Sequence, residues 1–228
     1  MDKSDSKIVI FGGNGFVGSH AAQALSDFNS NIVCISRSGH KPIHLNDSEW
    51  SKRVRWCKGD AAQADVELLA DTDTIICCVG SPPLPTLSQS AFDEQLFMNG
   101  TTCSNAIKAA ADAGVKRVIL LNAQIPWVMR SKHFAYYVGK KNSLNAAKEF
   151  CDISSEHTAL ILQPGMITGC RVLPNGFNLR LDWLTAPVSP FIPWQFVSVE
   201  RVAARIADFF MNPEVYQGQC IILKNRHI

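Results

Sequence analysis

The sequence predicts an α/β protein built on a doubly wound parallel sheet, with a small irregular C-terminal region suited to a substrate site or lid. Three observations carry that expectation. A glycine-rich turn joins a short apolar run to a segment with helical spacing near the N-terminus. Short β-branched runs then alternate with helical patterns along most of the chain. The alternation breaks at about residue 165 and resumes near 197, with Pro174, Pro187, Pro190 and Pro193 in the gap. A length of 228 residues and a 46% hydrophobic composition suit one domain over 1–228, with 165–197 as an inserted lid or docking segment.

The elements follow in order. "KIVIF" is a strand bounded by glycine, and "FVGSHAAQALSDF" places Val17, Ala21, Ala24, Leu25 and Phe28 on one helical face. "NIVCIS", "RVRWC" and "DTIICCV" read as three further strands, with "AQADVELLA" as a helix between the last two. A longer helix over residues 88–113 meets Gly114, which is placed to cap it before the strand "KRVILL". "HFAYYVGKKNSLNAAKEFCD" is a helix and "HTALIL" the sixth strand, ending at the break "QPGM". "SVERVAARIADFF" restores a helix with Val199, Val202, Ala203, Ile206, Phe209 and Phe210 on its apolar face, and "CIIL" is a closing strand. Within the break, "LTAPVSPFIPWQF" (184–196) carries Leu184, Val188, Phe191, Ile192, Trp194 and Phe196, enough large apolar groups for a lid or docking edge.

Composition narrows the function classes. Twenty-two basic and 20 acidic residues leave a formal charge of +2, and no basic stripe is interleaved with aromatics, so nucleic acid is not indicated. The eight cysteines fall mostly in apolar runs without CxxC or Cys/His spacing; they read as reduced core thiols, and no metal is expected. No apolar run approaches the ~18 residues of a spanning helix, so a soluble protein, or one associated peripherally with a membrane, is expected. The opening "MDKSDSK" fits neither a secretory signal nor an Arg-rich transit peptide.

The glycine turn carries the first chemistry. Gly13, Gly15 and Gly18 form GxGxxG between strand and helix, and Gly12, Gly15 and Gly18 satisfy GxxGxxG. Such a turn lets the backbone of Gly12, Gly13, Asn14, Gly15, Phe16, Val17 and Gly18 approach a pyrophosphate at a helix N-terminus, which favours an anion. This is a Rossmann-type dinucleotide mouth. An NAD site usually carries an acidic residue at the end of the second strand, but here that end is Ser36-Arg37-Ser38. An arginine with two hydroxyls suits a 2′-phosphate, so NADP(H) is expected in preference to NAD(H), which remains the alternative.

Longer words in the sequence carry a resemblance. "VIFGGNGFVG", Gly59-Asp60, Val79-Gly80, "NGTTCSNAIKAAADAGVKRVILL", "YYVGKK", "LQPGMITG" and "VSVERVA" occur in order over nearly the whole chain. Together they resemble the short-chain dehydrogenase/reductases of the extended and atypical type. "FGGNGFVG", "ISRSGHKP" and "LNDSEWSKRVRWCKGD" are most similar to atypical mitochondrial members: the accessory protein of the ubiquinone-biosynthesis complex and the nucleotide-binding accessory subunit of respiratory complex I. The resemblance implies Asp60 and Ala61 by the adenine, Val79, Gly80 and Asn99 along the cofactor, and Pro164, Gly165, Met166 and Ile167 near the nicotinamide. It implies a partner complex of respiratory or quinone metabolism, a quinone-like small molecule, and a mitochondrial compartment, with plastid and cytoplasm left open.

Departures from the family pattern bear on activity. Active members place a serine after the fifth strand, whereas this chain reads Leu121-Asn122-Ala123-Gln124, and Ser131 comes only five residues before Tyr136. "YYVGKK" offers Tyr136 with Lys140 and Tyr137 with Lys141, each pair sharing a helix face; the family's Gly-Lys step favours the first. In working members such a lysine binds the nicotinamide ribose and lowers the tyrosine's pKa. The expected function is an NADP(H)-binding accessory or stabilising subunit with little turnover. One alternative is an active oxidoreductase using Tyr136, Lys140 and Asn122, with Asn122 or Gln124 in place of the serine. The other is a redox-sensing regulator.

Overall fold

The computed structural model describes residues 6–172, 178–180, 195–216 and 218–228. Strands β1 (Lys7–Phe11), β2 (Ile32–Ser36), β3 (Arg55–Lys58), β4 (Thr72–Cys77), β5 (Arg117–Leu121) and β6 (Thr158–Gln163) precede the break. Within and after it come β7 (Met166–Thr168), β8 (Cys170–Val172), β9 (Asn178–Arg180), β10 (Phe196–Ser198) and β11 (Cys220–Lys224). The helices are α1 (Phe16–Ser26), α2 (Glu49–Arg53), α3 (Gln89–Leu96), α4 (Thr102–Asp112), α5 (Ala135–Ile153), α6 (Val199–Met211) and α7 (Pro213–Tyr216). Seven strands form one sheet in the order β11-β6-β5-β4-β1-β2-β3, and every pairing in it is parallel.

Alternation along the strands builds two cores. Ile8 and Ile10 of β1 point to the face covered by α1 and α6, where Leu25, Ile206, Phe209 and Phe210 are buried with them. Val9 and Phe11 point the other way and join Ile107, Val118 and Phe150 under α4 and α5. Both faces are therefore covered, which explains why the strands read as continuous apolar runs. The six apolar residues expected on one face of α6 are all buried.

Some local expectations are corrected. "AQADVELLA" is not a helix: only Ala61–Gln63 forms a 3₁₀ turn. The Asp60 and Asp65 carboxylates accept hydrogen bonds from the backbone N–H groups of Ala62 and Glu67, a local alternative to helical bonding. Phe28 lies beyond the end of α1 and is exposed. The helix expected over 88–113 is continuous but contains a π-helical turn at Phe97–Thr101, and Gly114 ends it with φ +75°. The short α2, with Ser48 at its N-cap position but no side-chain cap, has only five residues and shows no period in the sequence. Not all cysteines are core thiols, since Cys170 and Cys220 are exposed; all eight are free.

The described residues of the stretch 165–197 are not all loop. They include β7, which pairs in parallel with β10, and β8, which pairs antiparallel with β9. Of the apolar segment 184–196, only Gln195 and Phe196 are among the described residues, so the expected lid lies outside them.

Candidate functional site

A parallel sheet puts the loops that follow its strands on one edge, and its strand order reverses between β1 and β4, which opens a crevice there. A cavity occupies that crevice, lined from the ends of four strands: Phe11, Gly12, Asn14 and Gly15; Ile35, Ser36 and Arg37; Gly59, Asp60 and Ala61; Cys78, Val79 and Gly80. Phe97, Met98 and Thr102, on the π-helical turn and the start of α4, complete the wall. Nine of the expected binding residues thus share one cavity: Gly12, Asn14, Gly15, Ser36, Arg37, Asp60, Ala61, Val79 and Gly80.

The turn is compact because glycine is required at two points. Gly12 takes φ +80°, a left-handed conformation that strains other residues. A Cβ on Gly18 would stand 2.2 Å from the Gly12 carbonyl oxygen, so the first turn of α1 rests directly on the loop. Gly13 backs onto Cys34 of β2. Gly15 is the N-cap of α1 and provides no side-chain cap, and the first turn holds no acidic residue. Phe16, Val17 and Gly18 occupy that first turn, whose backbone N–H groups suit an anion.

Beside this turn stands an ordered arginine loop. Asn14 Nδ2 donates to Ser38 Oγ at 3.1 Å, and Ser36 Oγ accepts from the Gly39 N–H at 3.1 Å. These bonds fix the backbone on either side of Arg37, whose side chain is exposed at the cavity. Lys58 pairs in register with Ser36, and its Cβ lies 2.7 Å from where a Cβ on Gly39 would be. Lys58 is a nearby cation that sequence reading missed, because its proximity depends on the β2–β3 register.

At the other end of the crevice, α5 approaches the site closely. Gly100 and Gly139 face each other, and a Cβ on Gly100 would sit 2.9 Å from the Gly139 Cα. This contact carries Lys140 inward until its Nζ is 3.5 Å from where a Cβ on Gly80 would lie. Lys140 is 6% exposed and donates to the Leu121 carbonyl at 3.0 Å; burial pushes its pKa below the usual lysine range. Its Nζ stands 5.8 Å from the Tyr136 ring centroid, whereas Lys141 is exposed, so the geometry brings together Tyr136 and Lys140 rather than the second frame. Burial pushes the Tyr136 phenol up to about 12.

The remaining candidates hold the scaffold. Asn122 donates from its amide to the Lys140 carbonyl at 2.8 Å and to Ser143 Oγ at 3.3 Å, while its Oδ1 accepts from the Ala123 N–H. Both of its N–H groups are thus committed to α5, contrary to the expectation that one meets a substrate carbonyl. Gln124 Oε1 accepts from the Asn225 N–H. Asn99 is fully buried, donating to Ser81 Oγ and the Gln95 carbonyl and accepting from the Ser81 N–H, which pins the loop after Gly80.

Pro164 accepts through its carbonyl from the Gln124 N–H, and the Gly165 N–H donates to Asn225 Oδ1 at 2.8 Å. Ile167 lies in the β7–β10 pair, and Met166 is 55% exposed. Asn225 was not singled out in the sequence, yet it also donates to the Phe196 carbonyl and joins the turn after β6 to β10. Replacing it with alanine leaves the Gly165 N–H without that partner, and a loss of about 1–3 kcal/mol is expected in urea unfolding.

A family model described as NAD(P)H-binding matches residues 12–177, from the glycine turn to beyond β8. The chain belongs to the NAD(P)H-binding family. Among its relatives, an uncharacterized chloroplastic protein of Arabidopsis thaliana is 28% identical over 195 residues, covering 82% of this chain and 59% of the relative. MIOREX complex component 2 of Saccharomyces cerevisiae is 35% identical over 78 residues, 32% of this chain and 28% of that protein. The match therefore spans less than two thirds of either relative's length. Solved structures of like fold include Gre2 of Candida albicans in complex with NADPH, at TM-score 0.70 and 14% identity, covering 96% of this chain and 78% of Gre2. A short-chain dehydrogenase/reductase of Serratia marcescens matches at TM-score 0.69 and 14% identity over 98% of both chains. These likenesses show the fold of the NAD(P)H-binding family member described above.

Proposed function

We propose that this NAD(P)H-binding protein holds NADP(H) in preference to NAD(H) and works as an accessory or stabilising subunit, with little turnover, in an organellar complex of respiratory or quinone metabolism. The observation that carries the cofactor choice is Arg37, exposed at the cavity between two hydrogen-bonded serines where an NAD site would present a carboxylate. In this reading residues 1–228 form one domain with 165–197 as its docking segment. The bound cofactor supplies hydride chemistry. The chain's own residues do the holding: Gly12–Gly18 receive the pyrophosphate, Asp60 and Ala61 the adenine end, and Val79, Gly80 and Lys140 the nicotinamide ribose. The accessory role draws on the resemblance, on a relative named as a complex component, and on the commitment of Asn122 to α5. The organellar setting draws on a relative named as chloroplastic and on the mitochondrial resemblance.

Calorimetric titration of wild type and Arg37→Ala with NADPH and NADH tests the preference. Loss of one charge-assisted contact to a phosphate, about 1.5–3 kcal/mol, is expected to weaken NADPH roughly 10- to 150-fold while leaving NADH nearly unchanged. Equal weakening of both cofactors, or of neither, removes the argument for a 2′-phosphate site. A second reading, an active oxidoreductase, is favoured by the approach of Lys140 to both Tyr136 and the cavity-lining Gly80. Turnover measurements decide between the two.

A further inference from the structure

The loops after β4 and β5 lie on the same edge of the sheet as the cavity, and both raise large apolar side chains into solvent. Leu87 is 98% exposed and Trp127 is 80% exposed, with Leu84, Val128 and Met129 also exposed beside them. Neither exposure comes from a slack chain. Gln95 Nε2 donates to the Pro82 and Leu84 carbonyls, which ties the first loop to α3. Trp127–Met129 form a 3₁₀ turn closed by the Met129 N–H on the Pro126 carbonyl, and Arg130 Nε donates to the Ile125 carbonyl at 3.0 Å. The two loops adjoin, since Leu87 and Phe92 line one groove with Lys132 and His133. No Asp or Glu occurs in residues 78–92 or 122–134; Asp93 and Glu94 follow on α3, where Asp93 accepts from Gln89, while Arg130 directly follows the apolar turn and Lys132 lies two residues on.

We propose that residues 82–88 and 126–133 form a membrane-docking edge that seats on an anionic lipid surface. The inference is independent of the dinucleotide reading, because none of these residues lines the cavity. Two ordered, protruding apolar tips flanked by cations match an interface into which they sink. A tryptophan ring at the tip is suited to the headgroup boundary, and the adjoining cations to acidic headgroups. A protein partner would instead have to fill the polar groove of Thr86, Ser88 and Gln89 that lies beside them. Seated this way, the sheet edge that bears the cavity faces the bilayer, where a lipid-like substrate or partner would be met.

Flotation of the 228-residue chain with phosphatidylcholine vesicles, with and without phosphatidylglycerol, tests the proposal. Wild type is expected to float with the acidic vesicles and to be released by added salt. Lys132→Glu, which removes one basic charge and adds an acidic one, is expected to weaken binding by about 25-fold, taking about fivefold per charge. Leu87→Ser with Trp127→Ser is expected to weaken it at least about tenfold while keeping NADPH affinity and thermal midpoint. Wild type that never floats, or floats equally well as both variants, overturns the proposal, as does a stable complex with a soluble protein on this edge without lipid binding. Lys132→Glu alone remains decisive if the apolar double variant misfolds.

Discussion

Replacing Gly18 with alanine is expected to lower NADPH affinity by about two to four orders of magnitude. The added methyl would stand 2.2 Å from the Gly12 oxygen and 2.9 Å from the Gly12 carbon and the Gly13 Cα, all backbone atoms with no flexible end to swing aside. Either α1 moves off the loop or the loop opens. Both outcomes turn the uncapped N–H groups of α1 away from the crevice. Two charge-assisted hydrogen bonds to phosphate, at about 1.5–3 kcal/mol each, account for the expected range. The same overpacking should cost about 1–3 kcal/mol of stability. Calorimetry with NADPH and thermal melts of the free protein separate the effects. An alanine variant that binds within a few-fold of wild type would show that this helix end does not hold the pyrophosphate.

Much of this site was legible before the structure because its determinants are local. Gly12, Gly15, Ser36, Arg37 and Asp60 lie just beyond or at the ends of strands whose periodicity is plain, and sheet topology alone gathers them into one crevice. What the sequence hid was long-range or short. Asn225 is 60 residues from Gly165, and nothing in the local pattern of a C-terminal asparagine announces that contact. Lys58 depends on the register of β2 against β3, and α2 is too short to show a period. "AQADVELLA" failed as a helix because aspartate side chains bonded to nearby backbone N–H groups outweigh a weak apolar spacing. Asn122 shows the limit of reading chemistry from residue type. Its amide suits catalysis, but in the fold both donors are already engaged.

That engagement underlies the other large expected effect: with a panel of quinones, aldehydes and ketones, NADPH consumption should run about 10²- to 10³-fold below that of a site with a polarising hydroxyl. A donor aimed at charge developing on a carbonyl contributes that much, and residues 122–124, directly after β5, include no serine. Asn122 would have to abandon the Lys140 carbonyl and Ser143 to supply one, and a misplacement of ~1 Å already costs about 10²-fold. The proton side is weakened as well. Burial pushes Tyr136 up to about 12, above its ordinary value near 10, so the phenol is protonated near neutrality but is a weaker proton donor to a developing alkoxide than an ordinary tyrosine. Since the folded-state value is the higher one, its contribution to stability is complete below about pH 10 and is lost as pH rises through about 12. Difference ultraviolet titration of wild type against Tyr136→Phe should place the phenol's midpoint in that alkaline window. On the proposed reading Lys140, buried and bonded to the Leu121 carbonyl, would tether the nicotinamide ribose, so Lys140→Ala should lose far more cofactor affinity than Tyr136→Phe. Fast turnover abolished by Tyr136→Phe, with a midpoint near neutrality, would instead make this protein a working reductase.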